Sequence, residues 1–111
     1  MPRFAANLTM MYPEFDLPDR FTEARRDGFT AVELLQPYGE SIDDLGAWLD
    51  NSGLQMILLN TPMGDVANGE RGLAGLPGSE ADFNEAFAQS LTYAVELSIT
   101  MMHVMASAVL D

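Results

Sequence analysis

The sequence NTPMGDVANGERGLAGLPG, residues 60–78, separates an apolar segment from a helical pattern that begins near Ser79. The apolar segment is LQMILLN, residues 54–60, which has the composition of a strand covered on both faces, as in a parallel sheet. Loops this long are uncommon in compact domains and are usually functional or disordered. The pattern therefore predicts a functional loop at the end of a buried parallel strand.

The five glycines of this loop do not fit the known phosphate-binding patterns. Neither GxxxxGK[ST] nor GxGxxG between a strand and a following helix is present. Their irregular spacing predicts a flexible or tightly turning lid. Arg71 is the only cation after Arg26, and its guanidinium could bind a carboxylate through two hydrogen bonds. The alternative is a salt bridge from Arg71 to Asp65 or Glu70.

Strand and helix patterns alternate on both sides of this loop. The other predicted strands are residues 4–11, 29–36 and 100–106, and each pair is separated by a helical pattern. The helices are predicted to begin at the capping residues Asp16, Ser41 and Ser79, and Gly28 and Gly53 end the first two. Because no hairpin signal occurs, the order β-α-β-α-β-α-β indicates parallel strands, as in a doubly wound sheet or a (β/α) barrel.

Hydrophobic spacing predicts which side chains of these elements are buried. In the first strand, Asn7 and Thr9 share one face, and the opposite face holds Phe4, Ala6, Leu8 and Met10. Trp48 is expected to anchor the core from the second helix. The third helix is expected to bury a set of residues at helical spacing: Phe83, Ala86, Phe87, Leu91, Ala94 and Leu97.

Composition excludes several classes of function. The chain has 111 residues, with 17 acidic residues against five arginines and a net charge of -12, which disfavours nucleic acid and anionic membrane as partners. Without lysine, Schiff-base chemistry on the chain is excluded, and without cysteine there are no disulfides, thiolate nucleophiles or cysteine-bound metals. No signal sequence or long apolar run is present, so we expect a cytoplasmic protein.

One polar candidate lies in each predicted strand: Asn7, Glu33, Asn60 and His103. In parallel α/β folds, functional groups gather where the strands end, so these side chains are candidate site residues. Each has a structural alternative. The two asparagines would satisfy local backbone groups, Glu33 would pair with an arginine, and His103 would be a hydrogen-bonded core histidine. Glu33 is the strongest candidate because a buried carboxylate must be paired, protonated or bound to metal.

Four segments resemble the hydroxypyruvate isomerase family, which includes the 2-oxo-tetronate isomerases and belongs to the xylose-isomerase-like superfamily of TIM barrels. They are PRFAANLTMMY (2–12), VELLQPY (32–38), GDVANGERGLAGLPG (64–78) and HVMA (103–106). The resemblance implies an α/β fold, the N-terminal half of a TIM (β/α)8 barrel with about four parallel strands and three helices, as one truncated domain over residues 1–111.

The resemblance also implies a function. Family members isomerise hydroxypyruvate to tartronate semialdehyde, or a 2-oxo-tetronate to its 3-oxo isomer, with two glutamates and a divalent metal such as Mg²⁺ or Mn²⁺. Those glutamates and the metal ligands come from later strands, so no residue of this chain is assigned a catalytic or metal-binding role. Asn7, Glu33, Asn60, Arg71 and His103 are expected to bind the substrate, a small keto acid, with Arg71 on its carboxylate.

Three departures from the family pattern accompany the resemblance. Val66 occupies a position where tryptophan is usual, Ser107 one where glycine is usual, and residues 98–111 match less well than the rest. We expect a prematurely terminated or fragmentary chain that is inactive alone. Its open strand edges would make it a homo-oligomer or prone to aggregation. A half-barrel that acts only by assembly is the non-catalytic alternative, and a phosphate-binding module rests on glycine content alone.

Overall fold

A computed structural model describes residues 2–108 as four strands alternating with three α-helices. The elements are β1 (Ala5–Asn7), α1 (Leu17–Arg26), β2 (Ala31–Glu33), α2 (Ile42–Ser52), β3 (Gln55–Asn60), α3 (Glu80–Glu96) and β4 (Met101–His103). Short 3-10 turns occupy Pro37–Gly39 and Val66–Asn68. The sheet order is β1-β2-β3-β4 and every neighbouring pair is parallel, which confirms the predicted topology.

All four strands are shorter than predicted, β3 by one residue and the other three by four or five. After Asn7 the chain turns at once, because the amides of Met10 and Met11 both donate to the Asn7 carbonyl, at 3.1 and 2.9 Å. Met10 is therefore 70% exposed, and Phe4, before β1, is 72% exposed. The predicted buried face of the first strand is right for Ala6 and Leu8 and wrong for Phe4 and Met10.

The helices begin at the predicted N-cap residues, but only one of the three makes a capping hydrogen bond. Ser41 Oγ accepts a hydrogen bond from the Asp44 amide at 3.0 Å, which confirms the predicted cap of α2. Gly28 and Gly53 have φ of +96° and +68°, as expected for glycines that follow a helix. Asp16 and Ser79 occupy the N-cap positions of α1 and α3, but neither side chain makes a capping bond.

The helices cover one face of the sheet and leave the other open. Ala6, Val32, Met56 and Leu59 lie on the covered face and are fully buried. An irregularity between Val32 and Glu33 shifts the pairing, so that Val32 faces Met56 whereas Glu33 faces Leu58. β3 therefore has one more residue than β2 at this point, and this extra residue keeps Leu58 and Asn60 on the open face with Glu33.

The predicted buried face of α3 is only partly correct. Ala86 and Ala94 are buried, and Phe83 and Leu97 are half-buried. Phe87 and Leu91 are 36% and 48% exposed, and with Val95, which is 67% exposed, they form an outward apolar stripe along α3. Sequence periodicity groups these positions together because it records apolar spacing and not whether a neighbour is present.

Polar contacts fix the connection between β1 and α1. Arg20 donates through Nε to the Phe15 carbonyl and through Nη1 to the Leu8 carbonyl, both at 2.9 Å. The Tyr12 hydroxyl donates to Asp27 Oδ2 at 2.7 Å. Burial and this hydrogen bond raise the pKa of Tyr12 to about 12, which extends into more alkaline solution the range in which the phenol stays protonated and donates.

Candidate functional site

The structure brings the four strand candidates to one end of the sheet, on its open face. Asn7 lies beside Glu33 in the pairing of β1 with β2, and Asn60 lies beside His103 in the pairing of β3 with β4. Neighbouring residues of paired strands share a face, so the four side chains form a staggered row at the C-terminal ends of the strands. Because Glu33 is level with Leu58, the pair of Asn60 and His103 lies two residues further along than the pair of Asn7 and Glu33.

Asn7 and Asn60 make different hydrogen bonds, Asn7 through its side chain and Asn60 through its main-chain carbonyl. Asn7 Oδ1 accepts a hydrogen bond from the Thr9 amide at 3.0 Å, so its side chain supports the turn after β1. Asn60 is 8% exposed, and its main-chain carbonyl accepts a hydrogen bond from the Tyr38 hydroxyl. That hydroxyl also lies 2.9 Å from Ser90 Oγ on α3, and burial raises the pKa of Tyr38.

The environments of Glu33 and His103 differ from those expected. Glu33 is half-buried and not buried, because the face to which it points is open. Within residues 2–108 the only ion pair joins Arg26 to Glu23, so no arginine is paired with Glu33 there. His103 is exposed, which makes the core-histidine alternative wrong, because β4 is the last strand of the sheet.

A second set of polar contacts, absent from the sequence predictions, joins the strand ends. Thr9 Oγ1 accepts a hydrogen bond from the Leu35 amide at 2.9 Å. Gln36 Nε2 donates to the Thr61 carbonyl at 3.0 Å, and Thr61 Oγ1 accepts from the Met105 amide at 3.1 Å. Thr61 follows β3 directly and Gln36 lies three residues after β2, so a search for polar residues within a few positions of each strand end would have found them.

We expect Thr61→Val to lower the free energy of unfolding by about 2 kcal/mol. Thr61 is 2% exposed, and valine has nearly the same shape but leaves the Met105 amide without its acceptor. Thr92→Val is the matched control, since Thr92 is exposed and bonds only to the Ala88 carbonyl of its own helix. Urea unfolding followed by circular dichroism measures both, and equal effects would contradict the role given to Thr61.

The glycine-rich loop is pinned to the segment after β4. The Gly75 amide donates to the Ala106 carbonyl at 2.7 Å, and the Gly72 amide donates to the Met63 carbonyl at 2.8 Å. A Cβ on Gly72 would lie 2.5 Å from the Met105 carbonyl oxygen. Of the two predicted forms, flexible or tightly turning, these contacts support the tightly turning one.

Arg71 is exposed and is not joined to the strand candidates by any contact found among residues 2–108. Its Nη1 donates to the carbonyls of Glu70 and Val66, at 2.8 and 3.3 Å. The alternative of a salt bridge to Asp65 or Glu70 is not formed. Both carboxylates accept other hydrogen bonds: Glu70 Oε1 accepts one from the Asp65 amide, and Asp65 Oδ2 accepts one from the Asn68 side-chain amide. Binding of a substrate carboxylate by Arg71 remains a prediction.

The open face does not form a metal site by itself. Within the part of the chain that the structure describes, no three His, Asp or Glu side chains are grouped so that they could hold an ion. A cavity of about 330 Å³ lies between the loop and α3, lined by residues that include Gln36, Tyr38, Asp82 and Glu85. None of the four strand candidates lines this cavity, so the cavity and the row of strand candidates are separate features.

Several characterised or named proteins are similar to this chain over nearly its whole length. A 2-oxo-tetronate isomerase of Cupriavidus necator is 53% identical over 106 residues, which are 96% of this chain and 41% of that protein. A 2-oxo-tetronate isomerase of Haemophilus influenzae is 46% identical over 98% of this chain and 42% of its own length. The hydroxypyruvate isomerase of Escherichia coli is 43% identical over 85% of this chain and 36% of its own length. No family model matches the chain.

The solved structures include one with the same fold. The crystal structure of an AP endonuclease, family 2, from Brucella melitensis matches with a TM-score of 0.93 and 40% identity, over 96% of this chain and 42% of that one. This chain therefore spans about two fifths of the length of these relatives. The match confirms the predicted fold, the N-terminal part of a TIM barrel. No helix within residues 2–108 is long and apolar enough to cross a membrane.

Proposed function

Because this chain is similar over nearly its whole length to the 2-oxo-tetronate and hydroxypyruvate isomerases, we propose that it forms one part of such an isomerase. The observation that carries the proposal is 53% identity over 96% of the chain. The reaction moves a carbonyl group between adjacent carbons of a small 2-oxo acid. A proton moves from the hydroxyl-bearing carbon to the former carbonyl carbon, and the hydroxyl proton moves to the former carbonyl oxygen, so substrate and product have the same composition.

The chain's own contribution is to hold the substrate at the strand ends. The row of Asn7, Glu33, Asn60 and His103 offers amide, carboxylate and imidazole groups to the hydroxyl and carbonyl oxygens of the substrate. Arg71 would reach the substrate carboxylate after leaving its two carbonyl partners in the loop. The proton-transferring glutamates are not assigned to this chain, so its residues position the substrate and do not move the proton.

A divalent metal belongs to the same proposal, but the described residues do not fit one by themselves. At least three carboxylate or imidazole ligands would have to be grouped, and residues 2–108 contain no such group. We therefore propose that the remaining part of the enzyme supplies the ligands for Mg²⁺ or Mn²⁺.

The substrate is either hydroxypyruvate or a 2-oxo-tetronate. The relatives with 53% and 46% identity are named 2-oxo-tetronate isomerases, whereas the hydroxypyruvate isomerase of Escherichia coli is 43% identical. These values favour the four-carbon substrate, and hydroxypyruvate is the second candidate. Both are small anions, and the net charge of -12 disfavours nucleic acid and anionic membrane as partners. We propose a cytoplasmic location and self-association through the open strand edges.

A chimaera tests the proposed activity. Residues 1–108 would replace the matching part of the Cupriavidus necator relative, and both substrates would be assayed with Mg²⁺ or Mn²⁺. We expect the chimaera to turn over at least one substrate and the 111-residue chain alone to show no detectable turnover. A folded chimaera inactive on both would overturn the isomerase proposal and favour a half-barrel that acts only by assembly.

The same chimaera tests Arg71. We expect Arg71→Ala to raise KM by about tenfold, because a charge-assisted hydrogen bond to the substrate carboxylate is lost. Arg26→Ala is the control, since the Arg26 side chain is 77% exposed and its only ion pair is with Glu23 of the same helix. Unchanged KM and kcat in Arg71→Ala would contradict the binding role.

A further inference from the structure

The end of β3 lacks one hydrogen bond that a parallel sheet would normally supply. The Asn60 amide donates to the Leu35 carbonyl, just beyond β2, at 2.9 Å. In a parallel ladder, the carbonyl of the same residue accepts from the amide two positions further along the neighbouring strand, which here is residue 37. This residue is Pro37, which has no amide hydrogen. Because Asn60 is only 8% exposed, its carbonyl needs a donor from outside the ladder.

The hydroxyl of Tyr38 supplies that donor. Tyr38 lies in the 3-10 turn that follows β2, and its phenol donates to the Asn60 carbonyl. The same hydroxyl lies 2.9 Å from Ser90 Oγ on α3, and Ser90 is fully buried. Ser90 Oγ in turn donates to the Ala86 carbonyl, one turn earlier in the helix, at 3.0 Å. One phenol therefore connects the turn after β2, the end of β3 and the middle of α3.

A second tyrosine holds the ring of Tyr38 in place. Tyr93, one turn after Ser90 on α3, packs edge-on against Tyr38, with ring centroids 5.1 Å apart and an angle of 71° between the planes. The Tyr93 hydroxyl donates to the Glu40 carbonyl, between the 3-10 turn and α2, at 2.7 Å. The two tyrosines thus reach across the same gap in opposite directions, which restricts the movement of the Tyr38 phenol away from β3.

Tyr38 also contacts the elements on both sides of the glycine-rich loop. The loop, residues 60–78, leaves β3 at Asn60 and leads into α3, and the phenol is bonded to Asn60 and to Ser90 of that helix. These contacts join β3 and α3 to the turn after β2, and none of them involves an edge strand of the sheet. The direction in which the loop leaves the sheet therefore depends on Tyr38.

We propose that Tyr38 is a positioning residue, which acts on the substrate through Asn60 without touching the substrate itself. The inference rests on the proposed isomerase function and adds a residue to its site. Because Tyr38 bonds to the main chain of Asn60, the side-chain amide stays available to a hydroxyl or carbonyl oxygen of the substrate. Asn60 lies beside His103, so the same bond helps to place that pair. Displacement of such a group by about 1 Å is enough to impair its contact with the substrate.

The chimaera with the Cupriavidus necator relative tests this role. We expect Tyr38→Phe, which removes only the hydroxyl, to raise KM about fivefold and to change kcat by less than about twofold. Asn60→Ala should raise KM about tenfold, and Tyr38→Phe added to it should raise KM no further, because the phenol acts through that side chain. A purely structural role would reduce the amount of active enzyme, and hence kcat, and leave KM unchanged. Tyr12→Phe is the matched control, because it also loses a hydroxyl hydrogen bond, to Asp27, and should not change KM.

Restoring the missing ladder donor is a second test. Pro37→Ala gives residue 37 an amide hydrogen, so its addition to Tyr38→Phe should return KM to within about twofold of the unsubstituted chimaera. Urea unfolding shows whether this double variant regains the stability lost in Tyr38→Phe. Regained stability with KM still raised would mean that the phenol does not act through its bond to Asn60.

The remaining outcomes separate this inference from the function on which it rests. An active chimaera whose folded Tyr38→Phe variant keeps its KM overturns the positioning role alone. The same holds if Tyr38→Phe raises KM equally with and without the Asn60 side chain. A folded chimaera that is inactive on both substrates overturns the isomerase function, and the positioning role with it.

Discussion

Gly72→Ala is expected to lower the free energy of unfolding by about 3 kcal/mol, although the substitution adds only one methyl group. Gly72 has φ of +122°, a region that side chains rarely adopt. Its Cβ would lie 2.5 and 2.7 Å from the carbonyl oxygen and carbon of Met105. Since these are backbone atoms, relief requires the loop to separate from the segment that follows β4.

Gly69→Ala is the matched control for this prediction. Gly69 also has a positive φ, +87°, but its Cβ would have no atom within 4 Å. The control therefore carries the backbone strain without the collision, and we expect a loss of about 1 kcal/mol. Urea unfolding at one fixed protein concentration compares the two variants. If they lost the same stability, the packing of the loop against Met105 would not contribute to the fold.

Phe21→Ala is expected to cost about 3–5 kcal/mol, which is enough to leave much of the protein unfolded at 25 °C. Phe21 is fully buried, and its ring centroid lies 5.8 Å from that of Trp48, so it joins α1 to α2. Removal of the ring leaves a cavity where the two helices meet. Because a half-barrel has few other helix contacts, little remains to compensate.

Phe87→Ala controls for the loss of an aromatic ring as such. Phe87 is 36% exposed on the outward stripe of α3, and we expect its removal to cost about 1 kcal/mol or less. Trp48 fluorescence during urea unfolding reports both variants, because the indole lies next to the Phe21 ring. Equal destabilisation by the two substitutions would show that the α1–α2 contact does not dominate the core.

The row at the strand ends was predictable because it depends on chain order. In a chain whose strands are all parallel, residues that end their strands must come to one end of the sheet, and the early ends of β1, β2 and β4 put three of the four candidates at such positions. Asn7, Glu33, Asn60 and His103 do so. Which face they would share was not predictable, since an extra residue in β3, between Met56 and Leu58, decides it for that strand.

The burial of these residues could not be predicted in the same way. Glu33 and His103 were expected to be buried or in the core because their segments are apolar. Both point to a face that no other element covers among residues 2–108, and they are half-buried and exposed. Burial depends on neighbours distant in sequence, and apolar composition shows only that a segment is able to be buried.

The sequence by itself determined the order of the elements, the parallel sheet and the similarity to isomerases, because these depend on local periodicity, helix signals and segment-by-segment resemblance. Only the tertiary structure decided that Thr9, Gln36 and Thr61 join the strand ends, and that Arg71 bonds to the carbonyls of its own loop. It also decided that residues 60–78 are held against Met105 and Ala106. Apart from those of Arg71, these contacts join residues more than twenty positions apart, and their formation depends on close approach of backbones that no local pattern specifies.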